Sequence, residues 1–206
     1  MIKTILLFRH GETDWNREGR IQGHLDVPLN DLGREQAGRL QIPLARWKAQ
    51  AILSSDLSRA RETAEIAAEK LKIRVHTHVG LREIHLGQMQ GMSRTEIEEK
   101  FGVDLSHNLR HRVLSDTDVF RLGTERTEEV VSRAEEALCL FFSENPQIEI
   151  LGISTHGGVL RRLLKRALVD RLEKDELPPP APNGAVFPVQ FQPLERKWIY
   201  LETNPI

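Results

Sequence analysis

Ile2-Lys3-Thr4-Ile5-Leu6-Leu7-Phe8-Arg9-His10-Gly11-Glu12-Thr13 is the stretch on which the reading of this chain turns. The run through Phe8 is apolar and short, the signature of a buried strand. It ends on an arginine beside a histidine, and Gly11 lets the chain turn sharply straight after them. In an open α/β sheet the carboxyl end of a strand faces the ligand crevice. Arg9 and His10 are therefore the first candidates for chemistry.

With 206 residues the chain is long enough for one domain with a full core, and it is read as a single domain over 1–206. The formal net charge is −1, so no global field attracts nucleic acid or an anionic membrane. A local cationic pocket is compatible with that balance. The one cysteine, Cys139, leaves no internal disulfide. It sits in Ala137-Leu138-Cys139-Leu140-Phe141, a helix flank, and reads as an inert thiol. The first apolar run is too short for a signal sequence with a cleavage site, and no segment is long enough to span a bilayer. The expectation is a cytoplasmic enzyme or binding protein.

Further along, a polar loop runs from Asp14 to Asn30, broken by Gly19, Gly23 and Pro28. A long loop in a compact domain is usually functional. Asn30 or Asp31 caps a helix starting near Leu32, and Pro43 kinks it or ends its first half. Residues 51–54 read as a second buried strand. Ser55 or Asp56 then caps a helix with Leu57, Ala60, Ala64, Ala67, Ala68 and Leu71 at helical spacing. A third strand covers 73–77, and a glycine-rich loop covers 80–91. Ser93 with Glu96 forms a capping box before a short helix to Phe101. Residues 102–126 are polar and weakly periodic. The segment from about 84 to 126 is read as a cover over the substrate. A long amphipathic helix starts at Thr127, a strand covers 148–154, and another helix follows. Residues 178–182 (Pro-Pro-Pro-Ala-Pro) form a stiff connection. Two strands, 184–191 and 197–201, close the chain, and Pro188 puts the first at an edge or a bulge. Alternating strands and helices argue for an α/β fold, a three-layer α/β/α sandwich with a mostly parallel sheet and an antiparallel edge strand.

Three strand–loop–helix junctions carry basic residues: Arg9-His10; Ser54-Ser55-Asp56-Leu57-Ser58-Arg59; and Ser154-Thr155-His156-Gly157-Gly158. Taken alone, Arg59 is a solvated arginine paired with Glu62, and His156 a structural histidine at a turn. Taken together, two arginines and two histidines on one crevice repel one another unless an anion is bound, and a tetrahedral phosphate suits them. Gly157 and Gly158 leave backbone amides free beside that anion. No His-Glu-x-x-His or Cys–His cluster signals a metal site. His76 and His78 read as an edge-strand pair, and His107 and His111 lie at i,i+4 spacing. A nucleophilic His10 must be neutral, and surrounding cations keep it so. The leaving oxygen then needs an acid. Glu83 is the best placed, against the bland reading of a Glu83–Arg82 pair; Glu12 competes.

These residues resemble the histidine phosphatase superfamily, in its phosphoglycerate-mutase-like branch. Residues 9–16 (Arg-His-Gly-Glu-Thr-Asp-Trp-Asn) resemble its opening signature, and residues 19–33 continue it. Residues 54–60, residues 81–84 with Gly87 and Gly91, and residues 154–159 resemble the later blocks. The resemblance implies that His10 is the phosphorylated nucleophile and that Arg9, Arg59 and His156 bind the transferring phosphoryl group. Asn16, the Gln22-Gly23 backbone and Gly157 complete the pocket, and Glu83 donates the proton. It implies no metal and no cofactor and a small phosphorylated substrate; from charge and segment length no nucleic-acid or membrane partner is expected, and the chain is expected as a monomer or homodimer. Phosphatase and mutase share such a pocket. The chain lacks the long insertion of mutases after the Glu83 region, and its 19–26 stretch resembles the phosphatases that act on α-ribazole phosphate or varied phosphomonoesters. A phosphomonoesterase is the first expectation, a cofactor-dependent phosphoglycerate mutase the second, and a non-catalytic phospho-ligand-binding or regulatory protein the third. The chain departs from the family pattern at His85, Leu86, Met89 and Gln90 and at Gly123-Thr124-Glu125-Arg126, near the leaving group. Arg110, His111, Arg112, Arg121 and Arg126 stand either as receptors for a second anionic group or as solvated surface.

Overall fold

The computed structural model describes residues 1–105, 115–171, 178 and 180–201. Six strands form one sheet: β1 (Lys3–Arg9), β2 (Ala51–Ser54), β3 (Arg74–Thr77), β4 (Ile150–Thr155), β5 (Val186–Gln192) and β6 (Lys197–Tyr200). Their order is β3-β2-β4-β1-β5-β6. The first four run parallel, while β5 pairs antiparallel with β1 and β6 antiparallel with β5. The antiparallel strand thus lies one place in from the edge. Pairing with β6 begins only at Val189, so Pro188 lies beyond the reach of β6, where β5 has a free side.

Both faces of the sheet are buried, which is why its strands read as continuous apolar runs. Ile5, Leu7, Leu53, Leu151 and Ile153 face one core, with Val130, Leu138, Phe141, Leu160 and Leu164 from α7 (Thr127–Glu144) and α8 (Gly157–Ala167). Leu6, Phe8 and Ile52 face the other. There they meet Leu40, then Leu44 of α3 (Gln41–Arg46), and Ala64, Ala67 and Ala68 of α4 (Ser58–Glu69). The α/β/α layering follows from this period-two division.

Local sequence sets most helix ends. Thr13 caps α1 (Asp14–Arg17) through a capping box with Asn16, a short helix inside the stretch expected to be loop. Asn30 caps α2 (Asp31–Arg39), its side chain accepting from the Gly33 amide. The helix breaks at Leu40, ahead of Pro43, which sits inside the first turn of α3 where its missing N–H costs nothing. Ser93 and Glu96 form the expected box on α5 (Arg94–Phe101). Within 102–126, α6 spans Asp116–Leu122. Met89, Ile97, Leu105 and Leu122 make a small separate core beneath this region. His107, Arg110, His111 and Arg112 lie outside the described residues.

The expected cap of α4 is a correction. The helix starts at Ser58 after Leu57, with no side-chain cap. Ser55 Oγ accepts from the Leu57 amide, and the Asp56 carboxylate is held by the Arg82 guanidinium, Nε donating at 2.8 Å and Nη2 at 2.5 Å. A bidentate arginine outcompetes the helix amides for that carboxylate.

Candidate active site

Parallel pairing explains why distant motifs meet. The chain leaves β1 for β2 two places away, and β4 later fills the slot between them. In register, Arg9 lies opposite Thr155, and Ser54 opposite Ser154. The residues after each strand end therefore emerge side by side at the carboxyl edge, where open α/β sheets hold ligands. The His10 and His156 rings lie with centroids 5.1 Å apart.

His10 is only 2 % exposed. Its Nδ1 is 2.6 Å from the Gly11 carbonyl oxygen. A carbonyl only accepts, so Nδ1 carries the proton and the lone pair of a neutral ring sits on Nε2. Burial, followed by the charges of Arg59 and Arg9, holds its pKa well below the ordinary histidine value. The main chain is fixed from both sides: Asn183 Nδ2 donates to the His10 carbonyl at 2.6 Å, and the Gly11 amide donates to Thr63 Oγ1 at 3.0 Å. Gly11 has to be glycine, since a Cβ there falls 2.2 Å from the Gly33 carbonyl oxygen.

Arg59 is fully buried and Glu62 pairs with Arg34 instead, so the solvated-arginine reading of Arg59 is wrong. Nη1 donates to the Leu25 carbonyl at 2.9 Å and Nη2 to the Gly23 carbonyl at 2.8 Å, while Nε has no partner. Burial brings its pKa down to about 10, which leaves it cationic at neutral pH. Arg9 also keeps an unpartnered buried Nε, with Nη1 3.3 Å from the Ala181 carbonyl. His156 is fully buried, both ring nitrogens lack partners, and burial with the charge of Arg59 pushes its pKa far down. Such orphaned donors cost free energy unless a ligand satisfies them. Together they make a desolvated, cationic receptor for a tetrahedral anion.

Glu83 takes the place of the free amides expected at the start of α8. Both of its carboxylate oxygens accept from the Gly158 amide at 3.1 Å, and Oε1 also accepts from the Ile84 amide at 2.9 Å. The helix N-terminus thus holds the carboxylate. A Cβ at Gly158 falls 2.4 Å from Glu83 Oε1 and from Ile84 Cδ1, so glycine makes this approach possible. Arg82 is engaged with Asp56, so the bland Glu83–Arg82 pair does not form. Glu12 is turned toward Asn30, which donates to it at 3.0 Å.

A cavity of about 580 Å³ opens over these groups, lined by Arg9, His10, Arg59 and Glu83 and by Asn16, Gln22 and Gly23. Gln22 Oε1 is buried without a partner. His156 and Gly157 are not among its lining residues, and a Cβ on Gly157 would fall 3.3 Å from Arg9 Nε. The far wall includes Ile84, Leu86, Arg94, Val119 and Arg126 from the expected covering segment. Arg121 pairs with Asp118 at 3.1 Å and is not part of the lining. Among the described residues no group of three or more His, Cys, Asp or Glu could hold a metal, and no helix is long and apolar enough to cross a membrane. His76 packs on Phe141, and His78 caps the turn at Gly80.

Sequence reasoning missed Arg133, Thr63 and Arg161. Arg133 donates to Glu125 through Nε and Nη2, to the Gly80 carbonyl at 2.6 Å and to the Glu83 carbonyl at 3.0 Å. It lies mid-helix in α7, where only tertiary contacts reveal it. Arg161 lines the cavity and keeps a buried unpartnered Nε; its position one turn into α8, on the strand-end side, was the available signal.

Comparisons with known proteins identify the family and the fold. The family model for the histidine phosphatase superfamily (branch 1) matches residues 5–202. Phosphoglycerate mutase-like protein 4 of Arabidopsis thaliana is 42 % identical over 168 residues, covering 79 % of this chain and 70 % of that protein. The metal-independent phosphoserine phosphatase of the same plant is 33 % identical over 167 residues, with 80 % and 68 % covered. Among solved structures, mycobacterial glucosyl-3-phosphoglycerate phosphatase in complex with VO3 superposes with a TM-score of 0.80 at 26 % identity, over 98 % of this chain and 99 % of that one. The chain belongs to the histidine phosphatase superfamily, branch 1.

Proposed function

We propose that this enzyme hydrolyses small phosphomonoesters through a phosphohistidine at Nε2 of His10. The observation that carries the reading is the His10 ring: buried, neutral, with its Nδ1 proton committed to the Gly11 carbonyl and Nε2 left as the nucleophile. Nε2 attacks phosphorus, the bond from phosphorus to the ester oxygen breaks, and Glu83, entering this step as the carboxylic acid, gives its proton to the departing oxygen. Arg9, Arg59 and His156 hold the equatorial oxygens where charge gathers. A water then attacks the phosphohistidine. Glu83, now a carboxylate, takes its proton; the bond from phosphorus to nitrogen breaks, and inorganic phosphate leaves with the site restored.

Relatives named as phosphatases support hydrolysis. The name of the plant mutase-like relative supports a second reading, in which the phosphoryl group returns to substrate instead of passing to water. A cytoplasmic location belongs to the same proposal. The test is phosphate release from a panel of phosphorylated metabolites, in EDTA, by the enzyme and its His10→Ala variant. Release by the first and not the second is expected. Retention in His10→Ala overturns the mechanism, and interconversion of 2- and 3-phosphoglycerate without net phosphate release favours the mutase.

A further inference from the structure

One histidine beside the site takes no part in the reaction just described. His24 follows Gln22 and Gly23, and its ring Nε2 is 2.6 Å from the main-chain carbonyl oxygen of Glu83. The carbonyl can only accept, so Nε2 carries a proton. Burial lowers the His24 pKa, so at neutral pH the ring holds one proton, and this contact places it on Nε2. The His24 amide meanwhile donates to Gln90 Oε1 at 2.7 Å. Gly23, at φ +54°, lets the Gln90 amide lie directly on the loop, since a Cβ there falls 2.1 Å from Gln90 Oε1. On its other side the same loop is gripped by Arg59 through the Gly23 and Leu25 carbonyls. Residues 22–25 therefore connect the phosphate-binding arginine to the main chain of the acid.

We propose that His24 is a positioning residue, which through its Nε2–H bond to the Glu83 carbonyl sets the Glu83 carboxyl against the phosphoryl group held by Arg59. This rests on the phosphomonoesterase reading with Glu83 as acid. Arg133 also donates to the Glu83 carbonyl, from the α7 side. Of these two donors to the carbonyl, His24 is the one that comes from the loop held by Arg59.

The experiment uses leaving groups that differ in their need for a proton. p-Nitrophenolate departs unaided, whereas the alkoxide of glycerol 2-phosphate requires the acid. For His24→Leu, kcat/KM on glycerol 2-phosphate is expected to fall by up to about 10²-fold. On p-nitrophenyl phosphate it falls by a few-fold at most. His24→Gln keeps an N–H donor and recovers most of the loss. In the Glu83→Gln background, His24→Leu adds little further loss, because the two act as one unit. Equal losses on both esters, no recovery in His24→Gln, or additive losses overturn the proposal. These results leave the nucleophile assignment standing, because that assignment is read separately from phosphohistidine in the unaltered enzyme. Histidine 15N spectra of the unaltered enzyme supply a check independent of any variant. The Nε2–H tautomer is expected for His24, and an Nδ1–H tautomer overturns the proposal.

Discussion

At the residue scale, the proposed nucleophile, receptor and acid are distinguished by the partners each side chain already has. His10 has spent one nitrogen on Gly11 and offers the other. Arg59 has spent both terminal nitrogens on loop carbonyls and still offers charge. Arg59→Lys replaces a planar donor array with a point charge that cannot bridge the Gly23 and Leu25 carbonyls in the same way. Its kcat/KM on p-nitrophenyl phosphate is expected to fall on the order of 10²-fold; a change within twofold contradicts the role. The depressed pKa of His10 has a sign that can be checked. The neutral ring is the active form, so the acid limb of kcat/KM for free enzyme should lie well below the ordinary histidine value of about 6.5. An acid limb centred near that value contradicts it. Much at this scale was legible from residue type and position: Arg9, His10, Arg59, Glu83 and His156 all come to one place. The neighbours that tune them were not. Whether Arg59 meets solvent or Gly23, and whether Asp56 caps a helix or grips Arg82, depends on contacts 26 to 36 residues away in sequence.

At the scale of elements, the start of α8 determines where the Glu83 carboxyl group lies. Gly158 gives its amide to both Glu83 oxygens and leaves no room for a methyl group. Gly158→Ala is therefore expected to displace Glu83. The expected cost is about 10- to 10²-fold in kcat/KM on an alkyl phosphate, with a smaller loss on p-nitrophenyl phosphate; equal kinetics on both contradict it. A second close approach joins the first loop to α2. A Cβ on Gly33 falls 2.1 Å from the Glu12 carbonyl oxygen, while one on Gly11 meets the Gly33 carbonyl. Gly33→Ala should lower stability by about 1–3 kcal/mol in denaturant melts, and an unchanged midpoint contradicts that packing. Gly11 was legible in the sequence as a turn. That Gly33 is a close contact inside a capped helix follows only from the approach of residues 11–12. The capping motifs at Asn30 and Ser93 were legible because they are complete within four residues.

For the whole molecule, the strand order explains both what was readable and what was not. Buried parallel strands betray themselves as apolar runs, so the α/β class followed from residues 2–8, 51–54 and 148–154. The insertion of β4 between β2 and β1 is written in no local pattern, yet it is what sets His156 against His10. The cost of that juxtaposition reaches global stability. His10 and His156 are buried with pKa values held well below those of the unfolded chain. The unfolded state therefore binds more protons as pH falls below about 6.5, and stability falls with it, by up to about 1.4 kcal/mol per pH unit for each histidine. Thermal melts should show the loss between pH 7 and pH 5.5, and inorganic phosphate should reduce it by satisfying the cationic pocket. Melts that do not change over this range contradict the buried, neutral pair.

The proposed intermediate is a covalent bond between phosphorus and Nε2 of His10, and trapping that bond separates it from direct attack by water. The enzyme is mixed with a 32P-labelled phosphomonoester, quenched within its first turnover, and the label is mapped on the chain. Acid-labile, alkali-stable label on His10, approaching one per chain, is the expected result. His10→Ala should carry none and should have lost turnover by on the order of 10³-fold or more. Undiminished turnover in His10→Ala, or label on any other residue, contradicts it.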